Sequence, residues 1–230
     1  AFRHREKPVS GIPIAARPLD PAAFAPFGEV IQAGLGTVSR VNDGRADRFD
    51  GVGRLERSMG DTAPTIAVYR IDASDLPHRV PLLERHPLSS QLFVPMNAAR
   101  YLVVAVPSDA DGLPVPERAE AFLAAGNQSI NYRPGVWHCP LVALDRPADF
   151  VMVMGRAFDA SADCEFFDLP EPEEILVTDR VEDIVAFIGK SRYFVFDEVA
   201  LEEEVNSKLR LAGETPLATD FAEYVTRRAV

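Results

Sequence analysis

Two of the four histidines in this 230-residue chain stand in company that could run chemistry. His86 lies within LLERHPLSSQLFVPM, with Glu84 two residues before it and Gln91 five after it. His138 closes INYRPGVWH. An imidazole ordinarily titrates near working pH, so either ring suits proton transfer. Two imidazoles, a carboxylate and an amide oxygen also form a nitrogen and oxygen set that a divalent first-row metal accepts.

Local sequence favours convergence of these groups. On a strand, side chains two apart share a face, and Pro87 biases His86 toward extended backbone, so Glu84 and His86 would look the same way. Pro134-Gly135 should form a tight turn that delivers Val136, Trp137 and His138 onto the following strand. Polar groups turned into a small β-structure need water, partners or a metal. Ordinary hydrogen-bonded core histidines are the competing reading. His4, in a charged start, and His78, in DLPHR, read as surface residues. Cys139 follows His138 directly and would face away from it, as a core thiol rather than a nucleophile.

The elements that must position these residues are mostly strands. TIAVYRI (65–71), QLFVPM (91–96), RYLVVAV (100–106), CPLVAL (139–144) and DFVMVMG (149–155) are rich in Val, Ile, Phe and Tyr. Nineteen prolines and fourteen glycines punctuate the chain, and NDG, SDADG and RPG supply turn chemistry between runs. ERAEAFLAAG (117–126) reads as a short helix with a glycine stop, and DPAAFAPFG (20–28) as another. Many short strands with few helices predict a mainly β sandwich or barrel. Beyond EPEEI (171–175) the pattern changes. Val181, Ile184, Val185 and Ile188, then Leu201, Val205 and Leu209, recur at helical spacing, and Phe221, Tyr224 and Val225 suggest a last short helix. The organisation read from this is a disordered or loosely packed start (1–15), a β domain (16–176) and a helical C-terminal extension (177–230).

Composition bounds the function. A formal net charge of -11 argues against nucleic acid as a partner, because phosphates would be repelled. Two cysteines are too few for a disulfide framework or a thiolate zinc site and read as reduced thiols. No apolar run approaches a membrane span, and the charged start AFRHREKPVSG lacks a signal-peptide core, so a cytoplasmic protein is expected.

Five segments together resemble the ureidoglycolate lyase family. They are ERHPLSSQLFVPM, NYRPGVWHCPL, VNDGRADRF (41–49), RPLDPAAFAPFGEVI (17–31) and DFVMVMGR (149–156), in that family's order, from about Ala16 to about Leu176. The resemblance implies a cupin-type β-barrel, a homodimer, and cleavage of (S)-ureidoglycolate to glyoxylate and urea in purine-nitrogen recovery. By the cupin pattern, a divalent metal, nickel by association with the family, would be held by Glu84, His86, Gln91 and His138. Two positions depart from that pattern: Glu84 stands for a histidine and Gln91 for a glutamate. His86 or His138 would serve as base, Glu84 as its partner or second acid–base group, and Gln91 would orient substrate. Arg48 is the expected carboxylate clamp, since a guanidinium matches a carboxylate with two prongs, helped by Asn42, Arg70 and Tyr132. The alternatives are another metal-dependent cupin enzyme acting on a small hydroxy acid, and a non-catalytic small-acid binder.

Overall fold

The computed structural model describes residues 11–171 and 174–179. In chain order the strands begin with β1 Ile12–Ala15, β2 Arg17–Pro18, β3 Gly28–Ile31, β4 Thr37–Val41, β5 Ala46–Asp50 and β6 Thr62–Ile71. Next come β7 Ala73–Ser74, β8 His78–Val80, β9 Leu82–Arg85, β10 Gln91–Pro95, β11 Arg100–Val106 and β12 Glu120–Ala125. The series ends with β13 Ser129–Tyr132, β14 Trp137–His138, β15 Val142–Leu144, β16 Ala148–Ala157, β17 Glu165–Asp168 and β18 Ile175–Thr178. One four-residue helix, α1 Pro21–Phe24, starts where the Asp20 carboxylate accepts the Ala23 N–H at 2.9 Å. The described part of the chain is mainly β.

Two compact units divide it. The larger comprises Pro18–Asp75 and Leu82–Asp168. It holds a five-stranded antiparallel sheet in the order β3-β13-β10-β16-β6. It also holds a second sheet in which β17, β9, β14, β11 and β12 are consecutive neighbours, with β15 on β11 and β7 on β15. A separate hairpin joins β4 and β5. In the described part of the other unit, β18 lies between β1, parallel to it, and β8, antiparallel.

Within the larger unit the period-2 alternation sets which side chains go in. Along β16, Ala148, Phe150, Met152 and Met154 are buried, while the intervening Asp149, Val151 and Val153 are half-buried. β11 is buried from Tyr101 to Val106, which is why its sequence runs apolar without alternation. The inner faces share one core. Phe24 meets Phe122 and Tyr132 edge-on at 5.7 Å each, and Tyr101 meets Phe150 at 5.3 Å.

Three sequence expectations need correction. The sheets do not close into a barrel: the five-stranded sheet ends at β3 and β6, and alternation is the same in a sandwich as in a barrel, so sequence pattern does not decide closure. The helix expected over 117–126 is instead a 3₁₀ turn at Pro116–Arg118 followed by strand β12, which pairs with β11 from Arg100↔Ala125 to Ala105↔Glu120. Long-range pairing overrides the helix propensity of those alanines and glutamates, burying Ala121, Phe122 and Ala124. The strand expected over 139–144 is interrupted at Pro140, which has no N–H to donate, so β14 stops at His138 and β15 starts at Val142. Beyond residue 179 the helical extension lies outside the described residues.

Candidate active site

The site is assembled from three directions inside the larger unit. β9 and β14 pair so that Glu84 and His138 are direct cross-strand partners. Their side chains therefore share a face, and Glu84 Oε1 lies 3.4 Å from His138 Nε2. On the other sheet, Gln91 of β10 stands opposite Tyr132 of β13, and the Tyr132 ring stacks on His138 at 4.1 Å and 17°. His86 sits just past the end of β9, where the chain crosses from one sheet to the other. The Gly135 N–H donates to its carbonyl at 2.9 Å, so the Pro134-Gly135 turn, with Gly135 at φ 77°, ties the two histidine segments together.

The crossing is anchored by two serines that the sequence did not single out. Ser89 Oγ accepts the Gly155 N–H of β16 at 2.7 Å, and Ser90 Oγ accepts the Glu56 N–H at 2.9 Å. Both serines are buried. They fix the start of β10 and hence Gln91.

Hydrogen bonding then defines the state of each ring. His86 Nδ1 lies 2.8 Å from the Asp163 carbonyl, and His138 Nδ1 lies 2.8 Å from the Val136 carbonyl. A carbonyl only accepts, so both rings carry their proton on Nδ1 and turn Nε2 into the site. Between the two Nε2 atoms lies the Gln91 amide, its Nε2 at 3.0 Å from His86 and its Oε1 at 3.1 Å from His138. The amide has one donating and one accepting end. His86 Nε2 thus receives an N–H, whereas His138 Nε2 faces two acceptors, the Gln91 oxygen and the Glu84 carboxylate. The Glu84 carboxylate, 3.4 Å from His138 and paired with that ring alone among the described residues, makes the two histidines unequal. One imidazole in this cluster needs either a second proton or a cation at its lone pair.

Electrostatics agree with this arrangement. Burial alone would raise the Glu84 carboxyl, but its hydrogen bond to His138 and the neighbouring imidazoles outweigh burial and hold it below the ordinary carboxylate range. Burial lowers His86, so it stays neutral where a free histidine begins to charge. Cys139 is buried and its thiol is pushed up to about 12, first by burial and then by Glu84, which makes it an inert core thiol. Burial also raises Tyr132. Trp137 packs, donating to the Gly112 carbonyl at 2.9 Å beneath the Arg85 guanidinium.

Glu84, His86 and His138 each offer one ligand atom, all within 4.8 Å of one another. With the two Nδ1 protons committed to carbonyls, both Nε2 lone pairs point inward, as in histidines that bind metal through Nε2. The donor set fits a divalent cation.

The expected substrate clamps lie elsewhere. Arg48, on the β4–β5 hairpin, donates to Asp50 at 2.9 Å, and Asn42 forms that hairpin's turn at φ 53°. Arg70, on β6, makes a two-pronged pair with Asp149 at 2.8 and 3.1 Å. None of the three contacts the Glu84–His86–Gln91–His138 cluster, whereas Tyr132 does. Sequence reasoning missed Asp163, and with it Arg156, whose guanidinium lies 4.0 Å from the Asp163 carboxylate. Asp163 acts on His86 through its backbone carbonyl, for which side-chain identity gives no signal.

A family model described as ureidoglycolate lyase matches residues 12–176. The chain is 36% identical over 154 residues to a ureidoglycolate lyase of Pseudomonas fluorescens (strain Pf0-1), covering 67% of this chain and 91% of the relative. It is 34% identical over 160 residues to one of Pseudomonas aeruginosa (strain LESB58), covering 70% and 92%. Among solved structures, a dTDP sugar isomerase of Desulfovibrio desulfuricans G20 aligns with a TM-score of 0.38 at 15% identity, over 61% of this chain and 88% of that one.

Proposed function

The chain belongs to the ureidoglycolate lyase family, and on that premise we propose that its buried imidazole pair cleaves the carbon–nitrogen bond of (S)-ureidoglycolate to give glyoxylate and urea. The substrate carbon bears a hydroxyl, a carboxylate and the ureido nitrogen. Cleavage moves the hydroxyl proton away as the carbonyl forms, delivers a proton to the departing nitrogen, and needs a partner for the carboxylate. The observation that carries the reading is the unequal state of the two histidines. One Nε2 is a lone pair on a neutral ring, and the other requires a positive charge beside Glu84. A base and an acid therefore face the same space.

His86 Nε2 takes the hydroxyl proton. The electrons of the O–H bond form the new carbonyl, and those of the C–N bond leave with nitrogen, which takes the proton from His138 Nε2. Glu84 stabilises the charged form of His138, and Tyr132 holds its ring by stacking. Gln91 fixes both rings and hands its amide contacts to substrate. The proton gained by His86 and lost by His138 is exchanged with solvent before the next cycle.

A second reading rests on the donor set. A divalent cation, nickel by family resemblance, would be held by His86, His138, Glu84 and Gln91, and would supply Lewis-acid polarisation of the substrate hydroxyl. A cupin-type assignment belongs with this proposal, as an open two-sheet variant. The relatives' shared name does not favour another hydroxy acid or a non-catalytic binder.

The deciding experiment supplies ureidoglycolate and quantifies glyoxylate, urea and ammonia, with and without chelator. Equal glyoxylate and urea without ammonia is expected. Turnover that survives chelation assigns activation of the hydroxyl to His86, and turnover restored only by nickel or manganese transfers it to the ion. Folded protein that releases neither product under any of these conditions would end the reading.

A further inference from the structure

The reaction leaves one requirement unassigned: a cation for the substrate carboxylate, close to a site that already holds the Glu84 anion. An anionic ligand enters such a site only if its charge is matched. The arginines around the larger unit are mostly committed. Arg48 is paired with Asp50 and Arg70 with Asp149. Arg85 donates to Glu165 at 2.8 Å and to the Gly112 carbonyl at 2.7 Å, and Arg57 donates to the Thr62 carbonyl at 2.8 Å.

Arg156 differs. It continues the buried row Met152–Met154 at the end of β16, so its side chain leaves the strand on the core face, opposite Ala63 of β6. Its contact is a 4.0 Å approach to the Asp163 carboxylate, beyond hydrogen-bond range, and its side chain is 69% exposed against 21% for Asp163. Its planar fork of donors therefore makes no hydrogen bond within the described residues. Asp163 is in turn built into the site, since its carbonyl accepts from His86 Nδ1 and its carboxylate accepts the Ala157 N–H at 2.6 Å. Arg156 thus stands one residue away from the base.

Tyr69 lies farther along β6, opposite Phe150 and on the same face of the sheet, with its ring edge-on to Phe93 at 5.9 Å. It is 43% exposed. Its phenol is raised, first by burial and then by Glu84, with Arg156 opposing. It remains an O–H donor at neutral pH.

We propose that Arg156 forms the carboxylate-binding subsite of this active site, in place of Arg48 and Arg70, with the Tyr69 hydroxyl as a second donor from the same face of the sheet. The substrate's carboxylate meets the Arg156 guanidinium, with its hydroxyl-bearing carbon toward His86 and His138. This deepens the lyase reading and rests on it for the identity of the anion.

The test combines steady-state kinetics with calorimetric binding of glyoxylate, using wild type, Arg156→Gln, Arg156→Lys and Tyr69→Phe. Arg40→Gln, on the distant partner of an exposed ion pair with Asp47, is the control. A hydrogen bond to a charged group contributes about 10- to 100-fold. Arg156→Gln should raise KM for ureidoglycolate and weaken glyoxylate binding by about that factor, with kcat within about threefold. Arg156→Lys should recover part of the loss, because it keeps the charge and loses the fork. Tyr69→Phe should raise KM by less. Unchanged KM and unchanged glyoxylate affinity in folded Arg156→Gln would overturn the subsite and leave the lyase reading standing. Wild type that binds glyoxylate through Arg156 yet cleaves no ureidoglycolate would do the reverse.

Discussion

Glu84 is the residue on which the charge balance of the site turns. It faces His138 across the β9–β14 pair, and its carboxyl is held in the ionised form by that ring. Glu84→Gln keeps the shape and removes the charge, so the proton on His138 loses its counter-ion. General acid–base assistance is worth about 10²- to 10⁴-fold, and kcat should fall within that range while KM changes little. A variant retaining wild-type kcat would remove Glu84 from the mechanism. The four central residues were legible in the sequence because each belongs to a segment of the family resemblance, and strand alternation correctly faced Glu84 toward the histidines. Tyr69, Arg156 and Asp163 were not legible. Tyr69 sits on a strand whose motif is only alternation, Arg156 closes the DFVMVMGR segment with no signal of a role of its own, and Asp163 contributes a backbone carbonyl. Arg48 and Arg70 were chosen for a charge that the fold spends on Asp50 and Asp149.

At the scale of the elements, the segment 117–126 shows why a local pattern misleads. Its alanines and glutamates suit a helix, and Gly126 looks like a helix stop. In the structure, Gly126 marks a close passage of two backbones instead. A Cβ there would lie 2.0 Å from the Ala98 carbonyl oxygen, while the Gly126 N–H donates to the Ala99 carbonyl at 3.0 Å. A rigid backbone atom cannot yield as a flexible side chain would. Gly126→Ala should destabilise by about 1–3 kcal/mol, the usual cost of overpacking, read as a lower midpoint in urea with an unchanged slope. An unshifted midpoint would return Gly126 to the role of a turn residue. Strands whose sequences alternate or run apolar, such as β16 and β11, were placed correctly because burial on one or both faces is written into their own residues. β12 was not, because its strand character comes from β11, far away in sequence.

For the whole molecule, the buried titratable groups fix the pH range in which the fold is most stable. His86 and Glu84 both have lowered pKa values, so the unfolded chain takes up protons that the folded chain resists. The contribution of His86 is complete above its ordinary value of 6.5 and is lost as pH falls from there toward its folded value. His78, lowered by burial, acts in the same direction. Glu84 adds a second loss below its ordinary 4.5. At the alkaline end the sign reverses. The Cys139 thiol, ordinarily at 9.0, ionises in the folded chain only at about 12, so stability falls as pH rises between those values. Melting temperatures of chelator-treated protein should therefore be flat between about pH 6.5 and 9 and decline on both sides. His86→Gln should flatten the first acid step while leaving the decline below 4.5. A melting temperature held constant from pH 7 to pH 5 would mean that His86 charges as readily in the folded chain as in the unfolded one, and its surroundings would then be open to water rather than enclosed between two sheets.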